Sequence, residues 1–153
     1  VSDLAGATST QFLERLSSRL SVEPTRDTTP SKGDVSMYVD GHWYRLALSD
    51  RAPQASADPV GFLDVSLLQD QVLGPVLDVA DIRTDPRVRF VGGVRGTAEL
   101  ERLVDAGQAA VAFSMSAVTV AELLAIADAD AIMAPKSTWF EPKLRDGLLT
   151  HLI

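Results

Sequence analysis

The 153-residue chain contains no cysteine and only two histidines. The first absence excludes disulfides, thiolate nucleophiles and cysteine-based zinc sites. The histidines, His42 and His151, are far apart and show no HxxxH spacing, so no zinc-protease helix is encoded. No G-x-S-x-G occurs, and no serine nucleophile with its base can be assembled from the sequence. Basic charge is also scarce: 14 Lys and Arg stand against 21 Asp and Glu, a net charge of −7. A phosphate-backbone binder needs a basic stripe. Here Arg83, Arg87, Arg89 and Arg95 are interrupted by Asp85, so no nucleic-acid partner is expected. No apolar run approaches the ~20 residues a membrane helix requires, and no signal peptide opens the chain. The expectation is a cytoplasmic protein with no membrane partner.

What is present is ordinary globular material. Hydrophobic residues make up 46% of the chain, enough at this length to bury a core in a single domain spanning residues 1–153. Thr8 and Gln11 have capping-box spacing, and Phe12, Leu13, Leu16 and Leu20 then share a face, which predicts a helix over about 9–20. Residues 25–33, crowded with Thr, Ser, Pro and Asp, read as a loop. The run from Ser36 to Leu48 is the clearest local signal. Asp40-Gly41 supplies the positive-φ pair of a two-residue turn, so a β-hairpin is predicted, with Tyr44, Leu46 and Leu48 inward and Trp43 and Arg45 on the other face. Residues 50–59 form a second loop. Asp64 is placed to cap a helix that Gly74-Pro75 should end.

The C-terminal half reads as strand, helix, strand, helix, strand. Val88–Val91 reads as a short strand followed by glycines, at which the chain turns into a helix starting near Thr97. Its inner face carries Leu100, Leu103 and Val104, and Gly107 stops it. The glycines at 92, 93 and 96 lack G-x-G-x-x-G spacing and a following Walker lysine, so a simple turn is the favoured reading. Ala109–Ser114 is apolar without alternation, which suggests a central strand covered on both faces. Thr119 and Glu122 form a second capping box, and Val120, Leu123, Leu124 and Ala127 a stripe. Gly147–Ile153 reads as a last strand. The class expected is α+β or α/β, a mixed sheet with a hairpin in the N-terminal half.

Special residues concentrate between Ile132 and Ile153. Lys136-Ser137-Thr138-Trp139-Phe140, then Pro142-Lys143 and Gly147-Leu148, resembles the C-terminal P-K-S-T-aromatic-F-x-P-K segment of the domain of unknown function 1015 family. Leu63-Asp64-Val65 through Leu68 supports the likeness more weakly. The resemblance implies the C-terminal part of a longer cytoplasmic protein, an expectation that fits a chain opening on Val1, so an N-terminal domain or a second copy is the partner expected. Some similar proteins are amino-acid kinases, which makes phosphate handling an alternative.

The same segment is also the candidate site from its residue types. Lys136 and Lys143 offer point charges for a small anionic ligand, Ser137 and Thr138 hydroxyls, and Trp139 a flat wall. Asp128 and Asp130 could assist a metal, and a magnesium nucleotide would be the cofactor only in the kinase reading. The alternative is a structural connector in which the aromatics plug the core and the lysines are solvated. Three functions stay open: a non-catalytic accessory or ligand-binding domain completing a site with an absent domain or second copy, part of a phosphate-handling enzyme, and an oligomerisation module with an exposed apolar hairpin face around Trp43.

Overall fold

The computed structural model describes residues 1–48 and 58–132. Residues 49–57 and 133–153 lie outside that description, and with them the last expected strand and the segment from Lys136 to Lys143. The described chain is α+β. Helix α1 (Ser9–Ser17) leads to strand β1 (Ser21–Pro24), then to the β2–β3 hairpin (Asp34–Val39 and His42–Ala47). Helix α2 (Asp64–Leu68) runs through a π-helical turn, Gln69–Leu73, into α3 (Gly74–Leu77), and α4 (Gly96–Asp105), β4 (Val111–Met115) and α5 (Val120–Asp128) follow. The strands form one sheet in the order β1-β3-β2-β4, and every pairing is antiparallel. Among the described residues no helix is long and apolar enough to cross a membrane.

The hairpin forms for the local reason its sequence suggests. Val39 pairs with His42 across a two-residue turn in which Asp40 has φ 51° and Gly41 φ 77°. Both central residues of a type I′ turn need positive φ, and the turn's twist matches that of the strands. Nothing crowds a β-carbon at Gly41, so Gly41→Ala tests the backbone alone. It should cost about 1 kcal/mol, read as a lower urea midpoint with an unchanged slope.

The sheet has a covered face on each side. On one, Val35, Met37, Val39, Leu46 and Leu48 pack with Phe12 and Leu16 of α1 and with Leu67, Leu68, Val72, Leu73 and Leu77 of the α2–α3 stretch. On the other, Tyr38, Trp43 and Ala112 meet Leu100 and Val104 of α4. The predicted division of the hairpin is borne out: Leu46 and Leu48 are buried in the main core, Tyr44 packs against it, and Trp43 points the other way. Trp43 is nonetheless buried, 9% exposed. The exposed apolar face that an oligomerising hairpin would need is not present there.

Several sequence expectations are corrected. The helix expected over about 9–20 ends at Ser17, and residues 21–24, for which no element was expected, form strand β1 by pairing along β3. Gly74-Pro75 does not end the helix. The wider π turn lets the Gly74 N–H reach Gln69 O, and Pro75, which has no N–H to donate, sits in the first turn of α3. Val88–Val91 is not a strand. Asp81 and Asp85 instead accept the backbone N–H groups of Arg83 and Arg87 at 2.9 Å each, closing one local turn before Pro86 and one around it. Strand β4 lies at the edge of the described sheet rather than in its centre. Its two faces are covered as expected, Val111 by the main core and Ala112 by the cluster under α4.

Both capping boxes form. Thr8 and Thr119 each accept from the N3 backbone, while Gln11 and Glu122 reach back to the cap N–H at 3.0 and 2.7 Å. On α5 the expected stripe is rotated: Ile126 is buried, whereas Val120 and Leu124 are 73% and 57% exposed. Arg87 joins distant parts of the body, donating to Asp85, to Asp3 and to the carbonyls of Leu77 and Asp78.

Candidate functional site

Two polar sites stand out in the described structure. The first is a hollow of about 490 Å³ at the hairpin end of the sheet. Pro24 ends β1, and Thr25 N–H adds one more rung by donating to Trp43 O at 3.0 Å. The chain then turns back through two side-chain bonds, Asp27 N–H to Thr25 Oγ1 and Thr29 N–H to Asp27 Oδ1. Ser36 Oγ donates to Asp27 O at 2.8 Å, and Thr97 and Thr28 meet through their hydroxyls at 3.2 Å, pinning this loop to β2 and to the start of α4. The hollow opens between that loop, the start of β3 and Glu101 of α4.

Trp43 lines the hollow and is backed by Tyr38. The rings of Tyr38 and Trp43 lie 5.1 Å apart and tilted by 47°, Trp43 Nε1–H donates to Glu101 Oε1 at 2.7 Å, and Tyr38 Oη donates to Asp105 at 3.0 Å. Burial first, and then the Asp105 carboxylate, push the Tyr38 hydroxyl above its ordinary pKa, so it stays a neutral donor. Arg26 and His42 line the hollow. Arg26 makes no ion pair among the described residues, and His42 commits Nδ1 to Asp40 O at 2.7 Å, leaving the other ring nitrogen uncommitted. Arg26, His42, Thr25 and Thr28 thus line one hollow together with Trp43.

The second site is ionic. Asp64 is the first residue of α2 and not its cap: the N-cap is Leu63, without a side-chain bond. The Asp64 carboxylate instead accepts Gly33 N–H through Oδ1 at 3.0 Å. Its Oδ2 lies 3.4 Å from Lys32 Nζ, too poorly aimed for a hydrogen bond, although Asp64 is only 4% exposed. Lys32 also reaches Glu122 Oε1 of α5 at 2.9 Å. One ammonium therefore joins a buried carboxylate on α2 to the capping glutamate of α5.

Of the residues singled out from the sequence, Lys136, Ser137, Thr138, Trp139 and Lys143 lie outside the described residues. Asp128 is the exposed last residue of α5. Asp130, also exposed, takes φ 51° just beyond it, where Asp130 and Ala131 N–H close the helix end onto Ala127 and Ile126 carbonyls. Among the described residues no three His, Asp or Glu side chains gather to hold a metal ion. The glycines at 92, 93 and 96 form a 3-10 turn into α4, the simple strand-free version of the turn expected. Sequence reasoning missed Arg26, whose only local signal was a cation in a threonine-rich loop, and Glu101, which had none. Against known families, curated proteins and solved structures, the chain matches no family model, no curated protein and no solved structure.

Proposed function

We propose that this chain is a non-catalytic, ligand-binding accessory domain that takes a small anion-bearing molecule in the hollow between residues 24–28, the start of β3 and α4. The observation that carries this reading is Arg26, a guanidinium without an ion pair among the described residues, on the wall of a hollow that His42 also lines. A guanidinium presents a planar fork that matches carboxylate or phosphate oxygens. Trp43, locked by Glu101, supplies a wall whose position costs no further ordering when a ligand arrives. In this reading the segment from Lys136 to Lys143 completes a separate site with another domain or a second copy, and the ligand sits in the hollow.

A thermal-shift panel of inorganic phosphate, small carboxylates, amino acids and magnesium nucleotides separates the two locations. A ligand present at a hundred times its dissociation constant adds about 2.7 kcal/mol, some 5–10 °C for a domain of this size. The shift should disappear in Arg26→Ala and persist in Lys136→Ala. Loss in Lys136→Ala alone moves the site to the C-terminal segment. No shift with any member of the panel removes the ligand-binding reading for these chemistries.

A further inference from the structure

Helix α5 is joined to the rest of the described structure differently from the other helices. Helices α1 to α3 share the main core, and α4 covers the Tyr38–Trp43–Ala112 cluster. The buried residue of α5, Ile126, belongs to neither cluster, and Val120 and Leu124 face outward. Among the described residues the polar link from α5 to the body is Lys32 to Glu122 at 2.9 Å. That glutamate is also half of the capping box: its Oε2 accepts both the N–H and the hydroxyl of Thr119, at 2.7 and 2.8 Å. Its two oxygens thus do separate tasks, one starting the helix and the other holding it to the body. Lys32 in turn is positioned from below by Asp64, whose Oδ2 has no hydrogen bond of its own and faces the ammonium.

We propose that Lys32 is a charge-operated latch on α5: with its ammonium between Asp64 and Glu122 the helix is docked, and loss of charge at either Lys32 or Glu122 lets α5 open as a unit while the sheet stays folded. An ion pair of this kind, with side chains 32% and 19% exposed, is partly screened, so the latch is weak and salt-sensitive. Units of low local stability open separately from the body to which they are attached. The titratable groups facing Glu122 are Lys32 from the loop before β2 and, beyond it, Asp64 from α2.

The pH response follows from Glu122. Burial alone would raise its pKa, but the Thr119 N–H and then the Lys32 ammonium outweigh it and hold the carboxyl below the ordinary glutamate range. A lowered folded-state pKa means that the tie is fully present above the unfolded value, ~4.3, and is lost as pH falls through the lowered one.

Hydrogen exchange of the full chain at neutral pH and low salt tests the latch. Glu122→Gln is the clean variant, because the amide oxygen can still cap Thr119 while the charge facing Lys32 is gone. Amides of 123–129 should exchange about threefold faster in Glu122→Gln, and in the parent at high salt, with those of β2 and β3 unchanged. Lys32→Arg should keep the parent's rates. Unchanged α5 exchange in Glu122→Gln overturns the proposal. An equal acceleration in α5 and in the hairpin overturns it too, since α5 would then open only with the whole fold.

Discussion

Replacing Phe12 with alanine should lower the free energy of unfolding by about 3–5 kcal/mol, a large part of the 5–15 kcal/mol typical of a folded domain. Phe12 is fully buried, on the inward face of α1, in the core shared by that helix, the sheet and the α2–α3 stretch. Its ring is the largest side chain that α1 contributes, and a helix of nine residues is too short to persist without tertiary packing. The loss therefore includes both the buried area and the cavity left behind, because packed neighbours close such gaps only in part. Urea denaturation followed by circular dichroism measures it. Leu13→Ala, on the partly buried flank of the same helix, should cost markedly less. Equal losses at the two positions would mean that α1 is not seated by the Phe12–Leu16 face.

The second large effect is expected at Asp64. Asp64→Ala should destabilise the protein by about 2–3 kcal/mol, because it strands the Gly33 N–H and removes the buried countercharge of Lys32. The position of Gly33 sharpens the consequence: with φ at 82° it turns the loop into β2, and the Asp64 carboxylate fixes its amide in that turn. Asp64→Asn retains an acceptor for Gly33 and should recover about half of the loss. If alanine and asparagine are equally harmful, the charge toward Lys32 matters and the Gly33 bond does not. Were Asp64 acting as a helix cap, a serine there would restore stability; the observed geometry says that it should not.

The difference between what could and could not be read from the sequence is one of range. Asp40-Gly41 encodes its turn because two adjacent residues must both adopt positive φ, and the Thr8–Gln11 and Thr119–Glu122 boxes are complete within four residues. The inner face of α4 was legible for a similar reason, since one helical period places Leu100, Leu103 and Val104 together. Strand β1 was not, because a four-residue segment with a single half-buried position becomes a strand only by lying along β3. Asp64 was misread as a cap because its actual partner, Gly33, is 31 residues earlier. At Pro75 the local rule was sound, but a single π turn upstream relocated the proline to a position that needs no donor. The hollow shows the same limit: Arg26, His42 and Glu101 come from a loop, a strand and a helix, and nothing in their spacing announces that they meet.

The strand order has a consequence for how the molecule assembles in time. The β2–β3 hairpin pairs across two residues and can form early, but its outer neighbour β4 arrives from roughly 70 residues further along the chain. Closing a loop of that length adds only slowly to the entropic cost, yet contacts so distant in sequence are what make folding slow. Until β4 docks, the side of β2 that will pair with Val111–Met115 is an unpaired strand edge, the kind of surface on which two immature chains can join. Refolding yield should therefore fall with protein concentration more steeply than the stability of the finished fold would suggest.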